Sequence, residues 1–235
     1  MKPQTAAILE NCAPTGWVVE PLARQILIEY GLPVTRWAWA RDLENALEAA
    51  AGVGYPLVVK VVSPRVVHKS DVGGVVVGVK DEQGLREAYR RMARLPGFDG
   101  VLLDEMAEGL ELIVGAKHDP QFGPVVLTGI GGTAVEIYQD AAIRMAPMSR
   151  DDARSALESL RGRKLLEGFR GAPPVHRESL IDLLVRFSEM AHDLGPAVDS
   201  IDLNPVFCSP ERCVIADARI MLPRDRDEEP EEASL

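Results

Sequence analysis

Apolar and polar positions alternate most sharply over residues 57–79, LVVKVVSPRVVHKSDVGGVVVGV, where two β-branched runs flank a polar turn. Period-two spacing and β-branching predict strands over 57–62 and 74–79. The short interval between them suits a hairpin with a cationic loop. Upstream the pattern is helical. Leu22, Ile26 and Tyr30 share one face of a helix opened by Glu20-Pro21 and closed by Gly31. A short strand is expected near 34–39. Asp42 caps a helix with the stripe Leu43, Ala46, Leu47, Ala50, and Asp81 caps another that turns Leu85, Ala88, Met92 and Leu95 inward. Residues 1–16 carry no comparable pattern and are expected to form an extension.

From residue 100 strands follow one another: GVLLDEM, LELIVGAK, a strand from Gly123 into Gly129-Ile130-Gly131-Gly132, then TAVEIYQD and AAIRMAP. Ser149 with Asp152 three residues on predicts a capped helix through Leu160. A Gly/Arg/Pro-rich loop over 161–174 precedes a long helix carrying Leu180, Leu184, Phe187, Ala191 and Leu194. Two strands, 200–207 and 214–220, close the pattern. Helices do not alternate regularly with strands, which favours an α+β fold of two subdomains over a doubly wound sheet. The expected division is an extension at 1–19, a first subdomain at 20–100, a second at 101–222 joined through a linking strand at 101–106, and a disordered acidic tail at 223–235. A cleft between two such layers is a natural ligand site.

Composition narrows the function. The formal net charge of −10 argues against broad nucleic-acid or membrane-surface binding. Three cysteines without framework spacing, and no signal-peptide order at the N-terminus, point to buried reduced thiols and a cytoplasmic setting. Cys208 and Cys213 flank a turn and face each other across the closing hairpin in this reading. With no CxxC and no paired histidines, a zinc site is not expected.

In so acidic a chain the loop after residue 60 stands out, because it gathers Arg65, His68 and Lys69 before Gly73-Gly74. Lys60 interrupts an apolar strand, so its ammonium must snorkel out or meet an anion. Paired glycines let backbone N–H groups wrap phosphate oxygens closely. Neither a GxxxxGK[ST] loop nor a GxGxxG fingerprint is present. Glu105 ends one strand and Glu111 lies on the next, each able to accept from an adenine amine or a ribose, or to be solvated. Period two places Asp202 and Asn204 on one face, and the closing hairpin brings Asp217 near Asn204. Few protein oxygens, completed by phosphates and water, describe Mg²⁺ better than Ca²⁺.

These motifs, in the order GYPLVVKVVSPRVVHKSDVGGVVVGV, VLLDEMAEGLELIVGAKHDPQFGPVV, GIGG…VEIYQDAAIRMAP and IDLNPVF…VIADARI, resemble the β subunit of ADP-forming acetyl-CoA synthetases. That family has the ATP-grasp fold and is related to succinyl-CoA synthetase. The resemblance spans roughly 20–220. It implies that Lys60 contacts nucleotide phosphates, Gly73-Gly74 form a glycine-rich lid, and Glu105 and Glu111 flank adenine and ribose. Asn204 and Asp217 match the Mg²⁺ ligands, Asp202 stands beside a phosphohistidine docking site, His68 is the candidate second phosphorylated histidine, and Arg144 is a γ-phosphate contact. ATP or ADP is then the substrate. The implied partner is an α subunit that carries CoA binding and a phosphohistidine, in an α₂β₂ assembly. The implied reaction is acyl-CoA + ADP + phosphate ⇌ carboxylic acid + ATP + CoA. Two rival readings remain at this point: an autonomous ATP-grasp ligase working through an acyl phosphate, and a non-catalytic nucleotide sensor.

Overall fold

The computed structural model describes residues 1–132 and 140–223. Apart from Asp140 the segment TAVEIYQD, and apart from Pro223 the acidic tail, lie outside the described residues. The chain forms two antiparallel sheets, each covered by helices on one face. Strands β1 (Trp17–Val18), β6 (Leu110–Asp119), β7 (Gly123–Ile130), β8 (Ala141–Met145), β9 (Ser200–Cys208), β10 (Cys213–Ile215) and β11 (Ala218–Met221) make the larger sheet. Its order is β1-β11-β9-β6-β7-β8, with β10 paired to β9. Strands β2 (Trp37–Ala40), β3 (Leu57–Val61), β4 (Val75–Val79) and β5 (Val101–Glu105) make the smaller, ordered β2-β5-β3-β4.

Period two explains which face is buried. In β6, Leu112, Val114 and Ala116 turn into the core while the residues between them stay half-exposed. Helices α1 (Pro3–Cys12), α2 (Glu20–Glu29), α5 (Arg150–Ser159) and α6 (Arg177–Leu194) share that core, and Leu9, Ile26, Leu157 and Phe187 are buried in it. The smaller sheet packs against α3 (Leu43–Val53) and α4 (Glu82–Met92) through Ala46, Ala50, Leu85 and Met92. The expected caps form: Asp42 accepts from the Asn45 N–H at 2.8 Å and Asp81 from the Gly84 N–H at 2.9 Å, while Ser149 and Asp152 close a capping box. His176, to which the sequence assigned nothing, caps α6 by accepting from the Ser179 N–H at 3.1 Å.

The expected subdomain boundaries shift in two places. Residues 1–16 are not an extension: α1 buries Thr5, Leu9 and Cys12, and β1 pairs with β11. With α2 they belong to the larger layer, since the apolar face of α2 packs beside β11 and not against the smaller sheet. Residues 101–105 are not a linker. As β5 they lie in the smaller sheet between β2 and β3, with every residue buried. The apolar run Val101-Leu102-Leu103 suits a strand covered on both faces. The chain therefore crosses between layers at 33–36 and again at 106–109. The crossings run side by side, tied where the Glu105 N–H donates to the Arg36 carbonyl at 2.9 Å. All three cysteines are buried and free, with Cys208 and Cys213 directly opposed across β9 and β10.

Candidate active site between the layers

A cavity of about 430 Å³ opens where the two layers meet, lined by Lys60, His68, Lys69, Asp202, Asn204, Asp217 and Arg219 among others. Its floor is a cluster of buried charge. Lys60 projects from β3 and donates to Glu20 Oε1 at 2.8 Å, to the Ala216 carbonyl at 2.5 Å and to Asp217 Oδ1 at 2.9 Å. An ammonium has three N–H donors, so all are engaged. Arg24, fully buried, donates to Glu20 at 2.7 Å, to Asp104 at 2.5 Å and to Thr35 at 2.8 Å. Lys69 reaches down from the loop to Glu20 Oε2 and to Asp217 Oδ1, the latter at 2.9 Å. Three cations thus face three carboxylates, Glu20, Asp104 and Asp217, drawn from both layers.

Burial alone raises the Glu20 carboxyl, but Lys60, Lys69 and Arg24 outweigh it and hold the group well below the usual carboxylate range. For Lys60, burial pulls the ammonium down and Asp217 and Glu20 more than restore it, leaving it raised. The sign for stability follows. A carboxyl depressed by folding stabilises the protein fully above its unfolded pKa, about 4.3 for Glu. That contribution is lost as pH falls through the folded value. Glu20→Gln is therefore expected to lose stability less steeply below about pH 4 than the parent protein. Urea titrations across the acid range check this, and parallel slopes would count against the cluster.

The polar rim is built differently. Arg219 on β11 lies opposite Asp202 on β9 and donates to its Oδ2 at 3.1 Å. Another guanidinium nitrogen lies 3.4 Å from His68 Nδ1. Burial raises the Asp202 carboxyl, opposed by Arg219 and reinforced by Asp217. Both lysines donate to Asp217 Oδ1, and Asp217 and Asn204 both line the cavity. No cluster of three or more His, Cys, Asp or Glu suited to a metal occurs among the described residues. Two side-chain oxygen donors on one cavity wall fit Mg²⁺, which takes few protein ligands and keeps water or phosphate for the rest.

Five of the sequence-predicted residues sit elsewhere or are already committed. Glu105 lines the cavity, but its carboxylate accepts from the Arg36 backbone at 3.0 Å, the Arg36 side chain at 2.8 Å and Arg212 at 3.0 Å. Burial raises this carboxyl and those partners more than offset it, so it stays ionised and spoken for. Glu111 is outside the lining, and its backbone carbonyl accepts from the Gly131 N–H at 2.7 Å. Arg144 is also outside it, on β8, where it donates to Ser155 Oγ of α5 at 3.1 Å. Gly73 and Gly74 close the base of the loop instead of covering the cavity. The Gly74 N–H donates to the Lys69 carbonyl at 2.7 Å, and a Cβ there would come within 2.5 Å of Val61. Conversely, sequence reasoning assigned nothing to Glu20, Arg24, Asp104 or Arg219. The signal for three of them was available, because Glu20 and Arg24 stand one helical turn apart and Asp104 interrupts an apolar strand as Lys60 does.

A family model described as an ATP-grasp domain matches residues 12–222. The β subunit of ADP-forming acetate–CoA ligase I of Pyrococcus furiosus is 40% identical over 213 residues, which is 87% of this chain and 91% of that one. The chain belongs to the ATP-grasp family of ADP-forming acetate–CoA ligase β subunits. Structures of acetyl-coenzyme A synthetase 1 from Ca. Korarchaeum cryptofilum share this ATP-grasp fold. One in complex with coenzyme A, Ca-AMPCP and HgCl⁺ has a TM-score of 0.85 at 39% identity and covers 93% of this chain and 100% of that one. Another, in complex with coenzyme A and Mg-AMPPCP, has its phosphohistidine segment pointing towards the nucleotide binding site. Its TM-score is 0.81 at 38% identity, with coverage of 93% and 100%. No helix among the described residues is long and apolar enough to cross a membrane.

Proposed function

We propose that this chain is the nucleotide-handling subunit of an ADP-forming acyl-CoA ligase and passes a phosphoryl group between ATP or ADP and histidine. The observation that carries this is the convergence of Lys60, His68, Lys69, Asn204, Asp217 and Arg219 on one interlayer cavity. Lys60 and Lys69 both rest on Asp217. Nucleotide binding would exchange these pairs: Asp217 and Asn204 would hold Mg²⁺, and the two lysines would turn their released N–H donors to phosphate oxygens. Mg²⁺ supplies charge neutralisation at the transferring phosphoryl group. Glu20 and Asp104 hold the lysines in place throughout, so the cations are positioned before the phosphates arrive. His68, exposed on the loop above, is the phosphoryl carrier, with Asp202 beside it.

CoA binding and acid selection fall to an α subunit with its own phosphohistidine, in an α₂β₂ assembly in the cytoplasm. The buried, unpaired thiols are in keeping with a reducing compartment. Glu111, Arg144 and the glycine pair reach the nucleotide only if the layers or the loop move, and they remain secondary candidates. Asp217→Asn tests the exchange. It is expected to weaken Mg²⁺-dependent ADP binding at least about 10-fold, as loss of a charged contact to the ion does. Metal-free ADP binding should change little. Calorimetry with and without Mg²⁺ separates the two, and an unaltered Mg²⁺ dependence would remove Asp217 from the metal site.

A further inference from the structure

We propose that Arg219 orients His68 so that its Nδ1, not its Nε2, carries the phosphoryl group. The inference rests on the reading of His68 as phosphoryl carrier and adds the atom and the residue that selects it. Arg219 is held from one side, where its Cα partner across the sheet is Asp202 and its guanidinium donates to Asp202 Oδ2 at 3.1 Å. The second terminal nitrogen of the fork is thereby set 3.4 Å from His68 Nδ1. A guanidinium only donates. Nδ1 must then present its lone pair to Arg219, and the ring proton resides on Nε2. The reverse tautomer would set an Nδ1–H against guanidinium N–H groups, donor against donor. The only ring nitrogen with a free electron pair is therefore the one beside the cation, and both residues line the cavity.

That arrangement suits an incoming phosphoryl group. The Nδ1 lone pair attacks the γ-phosphorus of the bound nucleoside triphosphate and forms the N–P bond. The bond from that phosphorus to the β,γ-bridging oxygen breaks, and its electron pair leaves on the diphosphate. No proton need move, because the ring keeps its Nε2–H and becomes an imidazolium bearing the phosphoryl group. Charge is conserved: one unit of negative charge appears on the phosphorylated ring and one fewer remains on the diphosphate. Arg219 gives up its contact with Nδ1 as the phosphoryl group arrives, and the fork then donates to two of the phosphoryl oxygens. Asp202 keeps the guanidinium from following the group away.

The test labels the full chain together with its α subunit using Mg²⁺ and [γ-³²P]ATP, isolates the His68 peptide under alkaline conditions, and types it with antibodies selective for 1- and 3-phosphohistidine. The 1-isomer, phosphorylated on Nδ1, is the expected product. Arg219→Met is expected to reduce label on His68 by about 10²-fold. Arg219→Lys, which restores one donor, should recover part of it with the same isomer. A merely structural role predicts loss in both variants in step with a lowered unfolding midpoint, and that result would overturn the inference. Finding the 3-isomer on His68 would overturn the choice of atom while leaving His68 as carrier. Label on the partner histidine with none on His68 would overturn the carrier reading and this inference with it.

Discussion

Replacing Arg24 with methionine is expected to lower the unfolding free energy by about 3–5 kcal/mol, the cost of breaking a fully buried ion pair from one side. The guanidinium has no exposure and answers both Glu20 and Asp104, so its loss leaves the three carboxylates of the cluster facing only Lys60 and Lys69. The cluster also joins α2 of the larger layer to β5 of the smaller, and to Thr35 on the first crossing between them. The variant should therefore also loosen the seam. Urea unfolding at neutral pH measures the effect. A loss under about 1 kcal/mol, as for a surface pair, would show that the cluster is far better solvated than its burial implies.

Lys60→Met is expected to weaken ADP binding by about 10²-fold, as truncating one partner of a buried charge-assisted contact does. Its three donors are all engaged by Glu20, Asp217 and the Ala216 carbonyl, so a phosphate can be met only by giving up one of these partners. Asp217 is the one to yield: its side chain is 25% exposed, against 4% for Glu20 and 2% for Asp104. The variant also leaves the cluster one positive charge short, so its stability falls too. Affinity must accordingly be measured well below its unfolding transition. Unchanged ADP affinity in a folded Lys60→Met protein would remove Lys60 from the nucleotide site.

The antiparallel hairpin around Lys60, the capped helices and the α+β class were legible because each rests on local signals: alternation, β-branching and cap residues. The helix at 3–12 was not, because its inward face is short and includes Thr5 and Cys12 rather than a long aliphatic stripe. Strand β5 was misread as a linker because sequence order gives no sign that a strand will insert between two earlier ones. Lys60 was singled out as a charge in an apolar strand, and the same criterion applied to Asp104 would have found one of its partners. Arg219 left no such signal. Its importance comes from register, which sets it opposite Asp202 and within reach of a loop 151 residues away in sequence. Glu105 illustrates the reverse case. Its position at the cavity was foreseeable, but the two arginines that occupy its carboxylate were not.

The measurement that bears most directly on the central claim is incubation of the chain with its α subunit, Mg²⁺ and [γ-³²P]ATP, followed by acid and base treatment of the labelled protein. Acid-labile, base-stable label on protein is the predicted result, with the share on this chain lost in His68→Asn. Absence of such label from both chains, under conditions where ATP is consumed, would contradict phosphoryl transfer through histidine.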